Sequence, residues 1–125
     1  MIAVLTGDLV ESTRLSSTHY TQTINALTTV LNHLQKQTGC TYELFRGDGF
    51  QVVFPDPKHA IHALFTIRLF LNSQMSEVAV NCTQALAYGE GTLSESSPGT
   101  SNGEAFVLSG RTLDNTRGGE FRVIL

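Results

Sequence analysis

Tyr42-Glu43-Leu44-Phe45-Arg46-Gly47-Asp48-Gly49-Phe50-Gln51-Val52-Val53-Phe54 is the stretch that decides the fold. Two apolar runs, 42–46 and 50–54, flank small, turn-forming residues. That pattern predicts a β-hairpin with Asp48 at its turn. The chain opens on a comparable pattern, in which Ile2-Ala3-Val4-Leu5-Thr6 leads into Gly7-Asp8. An aspartate at the tip of a buried strand packs poorly but is well placed to hold a divalent cation. The glycine before it, lacking a Cβ, allows backbone or phosphate to approach closely.

Between these strands, Ile24, Leu27, Val30, Leu31 and Leu34 recur at three- and four-residue intervals, which predicts a helix over 18–37 ended by Gly39. After the hairpin, Pro55-Asp56-Pro57 breaks the chain and opens a second helix over 57–72, with Pro57 in its first turn. Ala60, Ile61, Ala63, Leu64, Ile67, Leu69, Phe70 and Leu71 make that helix apolar over much of its circumference. A strand fits 78–88, a polar Gly/Ser-rich stretch over 89–102 reads as a mobile loop, and 103–115 reads as a third helix. Gly118-Gly119 turns the chain into a last strand.

The order β-α-β-β-α-β, followed by α-β, is an α+β, ferredoxin-like palm with an added helix and strand. Its strand order is 4-1-3-2, and a right-handed crossover makes the first two strands parallel. The end of the first strand and the hairpin turn then share one edge of the sheet, about 10 Å apart across the third strand. Curling of the turn over that gap would let Asp8 and Asp48 converge.

At 125 residues, with 41% apolar and 15% charged residues, the chain is read as a single domain over 1–125. A net charge of -3 and a pI near 5.7 argue against direct nucleic-acid binding. No apolar run approaches the roughly 20 residues of a membrane span, and the start reads as a strand rather than a signal peptide. Cys40 and Cys82 stand alone and read as reduced thiols of a cytoplasmic protein. The apolar ending Phe121-Arg122-Val123-Ile124-Leu125 reads either as a trimmed chain or as a strand completing the sheet.

Two carboxylates on one edge beside a helix start make a site for a metal and a triphosphate. Mg²⁺ takes one or two protein carboxylates plus phosphate oxygens. Leu9, Val10, Glu11, Ser12 and Thr13 would offer N–H groups to the phosphates. Ser12 and Thr13 equally suit a helix cap, and Glu11 suits a helix N-terminus on electrostatic grounds alone. Arg46 either joins the site or pairs with Glu43 or Glu90 at the surface. His59 and His62 sit three apart on the second helix, but without a carboxylate or thiol partner they read as a solvated face.

Thr6-Gly7-Asp8-Leu9-Val10-Glu11-Ser12-Thr13 and Arg46-Gly47-Asp48-Gly49-Phe50 resemble the two metal motifs of class III nucleotide cyclases. The second is also similar to the hairpin of the GGDEF diguanylate cyclases. Ala87-Tyr88-Gly89-Glu90-Gly91 is similar to a later strand end of the cyclases, and 103–111 falls where their asparagine-to-arginine helix lies. Taken together, TGDLVES, FRGDGFQ, AYGEG and GEAFVLSGR resemble the SatD family of small bacterial proteins over almost the whole chain.

The resemblance implies a cyclase-like palm with Asp8 and Asp48 as ligands of Mg²⁺ or Mn²⁺, a nucleoside triphosphate as partner, and a homodimer. In that homodimer Arg111 of one subunit would steady the phosphates bound by the other. The chain departs from the cyclases at two positions. Val107 stands where their ribose-holding asparagine belongs, and Leu44 where their base-recognising lysine belongs. The expectation is therefore a nucleotide- and metal-binding domain without efficient cyclase turnover. The alternatives are an active Mg-dependent nucleotidyl cyclase and a non-catalytic dimerisation domain.

Overall fold

Odd and even residues of a strand point to opposite faces of the sheet, and the first strand buries side chains on both. The computed structural model describes residues 1–10, 16–45, 48–74, 81–90 and 103–124. Its strands are β1 (Ile2–Leu9), β2 (Thr41–Phe45), β3 (Gly49–Phe54), β4 (Cys82–Gly89) and β5 (Phe121–Ile124). They form one sheet in the order β2-β3-β1-β4-β5, which contains the expected 4-1-3-2 order read from its other end. β1 runs antiparallel to β3 and β4, and β2 antiparallel to β3, so β1 and β2 are parallel. β5 adds to β4 in parallel.

Helices α1 (Ser17–Thr38) and α2 (Ala60–Gln74) cover one face of this sheet. Leu27, Val30, Leu31 and Leu34 of α1 and Ala63, Leu64, Ile67 and Leu71 of α2 pack there with Ala3, Leu5, Leu9, Phe50, Val52, Phe54 and Leu86. The second helix presents a narrower apolar stripe than its sequence suggests, because Ile61 and Leu69 turn outward. A 3-10 turn over Pro57–His59 precedes α2, and the Asp56 side chain accepts from Lys58 N–H at 3.1 Å to cap it.

Helix α1 begins at Ser16, whose hydroxyl oxygen accepts from His19 N–H at 3.1 Å, and ends at Gly39 in a left-handed conformation (φ 73°). Threonine is a middling helix former. Here Thr21, Thr23, Thr28, Thr29 and Thr38 each donate their hydroxyl to the carbonyl four residues back, which satisfies the hydroxyl within the helix.

Helix α3 (Glu104–Asp114) covers the other face. Its Ala105 and Phe106 pack with Ile2, Val4 and Val53, and the Ser109 hydroxyl hydrogen-bonds Thr6. Beneath it β4 presents Ala85, Ala87 and Gly89, and a Cβ added to Gly89 would lie 3.4 Å from Ala105 N. Among the described residues, no helix is long and apolar enough to cross a membrane. Residues 78–80 of the expected fourth strand, most of the Gly/Ser-rich loop (91–102) and Leu125 lie outside the described residues.

Candidate functional site

Gly7 and Asp8 are neighbours in β1 and face opposite ways. Gly7 points to the α1/α2 face, where a Cβ would meet Phe50 Cζ at 2.3 Å. The fully buried Phe50 ring therefore occupies the space that glycine leaves, and the room expected there for phosphate is filled by packing. Asp8 points to the α3 face and is exposed at the sheet edge.

The register pairs Asp8 with Gly49, and Leu9 N–H donates to the Asp48 carbonyl at 3.0 Å. Asp48 thus lies directly beside β1. The gap of two strand spacings expected from the topology is replaced by one, because the β1–β3 pairing continues past the end of β3 into the turn. Both aspartates line a cavity of about 350 Å³ together with Thr6, Gly7, Phe45, Gly49, Phe50 and Leu113. Partial burial, then the nearby Asp48 charge, raises the Asp8 carboxyl above its usual range; the neighbouring Thr83 hydroxyl works the other way. Asp114, at the end of α3, adds a weaker repulsion.

On the far side of Leu113 lies a second cavity of about 410 Å³, lined by Asp8, Leu9, Val10, Thr83, Leu113, Asp114, Thr116 and Gly118. Thr83 and Asp114 were not candidates on sequence grounds. The signal available for Thr83 was a hydroxyl inside a largely apolar strand. Asp114 offered none, since an acidic residue near a helix end is ordinary.

The remaining candidates divide clearly. Leu9 is the last residue of β1 and its side chain lies in the core. Its N–H is taken by Asp48 and that of Val10 by the Asn81 carbonyl at 2.9 Å, so neither N–H is left to offer to phosphate. Glu11, Ser12, Thr13 and Arg46 lie outside the described residues. Arg111 is exposed on α3. It sits two residues from the inward-facing Ser109, roughly 200° around the helix axis, and so points away from its own chain's aspartates. Val107, one turn before it, is 50% exposed on the same outer side. Leu44 packs against the α1/α2 core. Cys40 and Cys82 are buried free thiols, and burial pushes that of Cys82 up to about 11.

Among the described residues, no group of three or more His, Cys, Asp or Glu side chains forms a closed metal cage. Two carboxylates on an open edge suit a hard cation that completes its shell with ligand oxygens. Their mutual repulsion is what such a cation would relieve.

The sequence matches no family model and no curated protein. Its fold does have solved counterparts. The adenylate/guanylate cyclase/hydrolase from Silicibacter pomeroyi superposes with a TM-score of 0.76 at 17% identity, covering 98% of this chain and 73% of that one. The adenylyl cyclase CyaB from P. aeruginosa gives 0.73 at 16% identity over 98% and 75% of the two chains. The guanylate cyclase domain of RhGC from Catenaria anguillulae, in complex with GTP, gives 0.66 at 17% identity over 98% and 76%. The helices and sheet order described above are thus those of a ferredoxin-like palm of the class III nucleotide cyclase type.

Proposed function

We propose that this is a SatD-like, cyclase-related domain that binds a nucleoside triphosphate together with Mg²⁺ or Mn²⁺, without efficient cyclase turnover. The observation that carries this reading is the convergence of Asp8 and Asp48 on one cavity at the sheet edge. Both carboxylates would hold the cation, leaving its remaining positions to phosphate oxygens. The ion would neutralise phosphate charge and orient the triphosphate. Glu11, Ser12, Thr13 and Arg46, which flank the aspartates in sequence, are the candidates to contact those phosphates.

Two features favour binding over turnover. Leu44, at the position of the cyclases' base-reading lysine, is spent on core packing. Val107 offers no polar atom to a ribose. The outward placement of Arg111 and Val107 on α3 suits a homodimer in which Arg111 reaches the partner's bound phosphates.

Thermal unfolding with Mg²⁺ or Mn²⁺ and ATP or GTP tests the reading. A ligand bound only to the folded state stabilises it by about 2.7 kcal/mol at a hundred times its Kd. Asp8→Asn and Asp48→Asn should each abolish most of the rise in Tm. Equal rises in wild type and both variants would place the ligand elsewhere. Release of cyclic nucleotide by wild type, lost in Asp8→Asn, would replace the binding module with an active nucleotidyl cyclase.

A further inference from the structure

We propose that Thr83 is a positioning residue for Asp8, its hydroxyl fixing one carboxylate oxygen so that the other is presented to a cation in the Asp8–Asp48 cavity. This rests on the metal-binding reading above. Asp8 and Thr83 face one another across β1 and β4, on the face that α3 covers. Thr83 is 5% exposed, so water does not compete freely for its hydroxyl.

A threonine hydroxyl has a single proton to donate and accepts through its lone pairs. Gly119 N–H donates to Thr83 Oγ1 at 3.0 Å. That bond holds the oxygen and leaves its one proton to turn towards Asp8, the cross-strand neighbour on the same face. The Gly119 peptide is itself held. Its residue is left-handed (φ 86°), and its carbonyl accepts from Arg68 Nη2 at 2.6 Å. Arg68 Nη1 also donates to Cys82 O at 2.9 Å and to Gln84 Oε1 at 3.1 Å, the two neighbours of Thr83 in β4. Groups from α2, β4 and the turn before β5 therefore set where the Thr83 hydroxyl sits. None of Thr83, Gly119 or Arg68 lines the Asp8–Asp48 cavity.

Loss of an outer-sphere hydrogen bond of this kind commonly costs 10–100-fold in metal affinity. The test is titration of the intact chain with Mn²⁺ alone, read as loss of the free-ion electron paramagnetic resonance signal. Asp8→Asn defines the signal due to this site. Thr83→Val keeps the shape and removes the hydroxyl, and should weaken Asp8-dependent Mn²⁺ binding by about tenfold or more. Thr83→Ser, which restores the hydroxyl, should bind within a fewfold of wild type. Thr83→Ala serves in place of Thr83→Val if the valine variant does not fold.

Wild-type affinity in Thr83→Val or Thr83→Ala overturns the positioning role and leaves the metal site standing. A Thr83→Ser variant as weak as Thr83→Val also overturns it, since the hydroxyl would then not be what matters. Absence of any Asp8-dependent Mn²⁺ binding in wild type overturns both this proposal and the metal reading beneath it.

Discussion

Leu9 donates its backbone N–H to the carbonyl of Asp48 at 3.0 Å, and this bond places the second aspartate beside the first. The placement depends on main-chain atoms. Replacing either aspartate by asparagine therefore alters the charge at the edge while leaving intact the ladder that builds it.

Charge at that edge makes stability depend on pH. Burial, followed by the Asp48 charge, raises the Asp8 carboxyl from 3.8, so the folded chain holds that proton more tightly than the unfolded chain. The resulting stabilisation is fully present below 3.8 and is lost as pH rises through the raised folded value. Asp56 acts in the opposite sense. Its carboxyl is lowered, chiefly by the Lys58 N–H, and its contribution is lost as pH falls. Comparing metal-free wild type with Asp8→Asn cancels Asp56 and the other common groups. In denaturant titrations the variant should gain on wild type as pH rises from below 3.8 to neutrality. A pH-independent difference would show that Asp8 titrates normally.

Gly7 and Gly110 should respond oppositely to alanine. A Cβ at Gly7 would drive into the buried Phe50 ring, so Gly7→Ala should destabilise by about 1–3 kcal/mol, as overpacking does. Gly110 lies inside α3 with nothing within 4 Å of its would-be Cβ. There the helix gains propensity, and Gly110→Ala should stabilise by about 0.5–1 kcal/mol. Urea unfolding of the two variants reads both effects.

Arg68 joins α2 to β4 and to the turn before β5, and its guanidinium also lies 5.1 Å over the Phe121 ring. Arg68→Ala would leave the fully buried Gln84 Oε1 without this donor. The expected loss is about 2–3 kcal/mol in chemical denaturation. Arg68→Lys should recover only part of it, because an ammonium cannot reproduce the planar fork of donors.

The proposed homodimer would use the outer side of α3. Light scattering with nucleotide and Mg²⁺ should give a homodimer, the commonest closed oligomer, and Val107→Glu should shift it towards monomer. A wild-type monomer at high concentration would rule out a site shared between subunits.

The hairpin at 42–54 and the two Gly-Asp pairs made the sheet order legible, because apolar runs punctuated by turn residues fix which strands can neighbour. The site edge followed from that order. The interior of β4 did not. Thr83 and Gln84 are both buried because helices cover both faces of the sheet, which polar residues within a strand do not announce. Arg68 was legible in principle: with Leu64, Phe65, Leu71 and Asn72 three and four residues away, it has no acidic partner on its own helix. Its partners, Gln84 Oε1 and the carbonyls of Cys82 and Gly119, are distant in the chain and give no local pattern. The roles expected of Leu9 and Val10 failed for a related reason, since their N–H groups were claimed by turn and loop carbonyls brought in by the fold.

The strip of Ala85, Ala87 and Gly89 beneath α3 acts as a shim. Methyl groups and a bare backbone leave no slack between helix and sheet, so side-chain bulk at these positions sets the helix's height. Widening the shim, as in Ala87→Leu, would lift α3 and with it the Leu113 wall that both cavities share. The shape of the aspartate edge is thus tuned from underneath, by residues that no ligand in those cavities would touch.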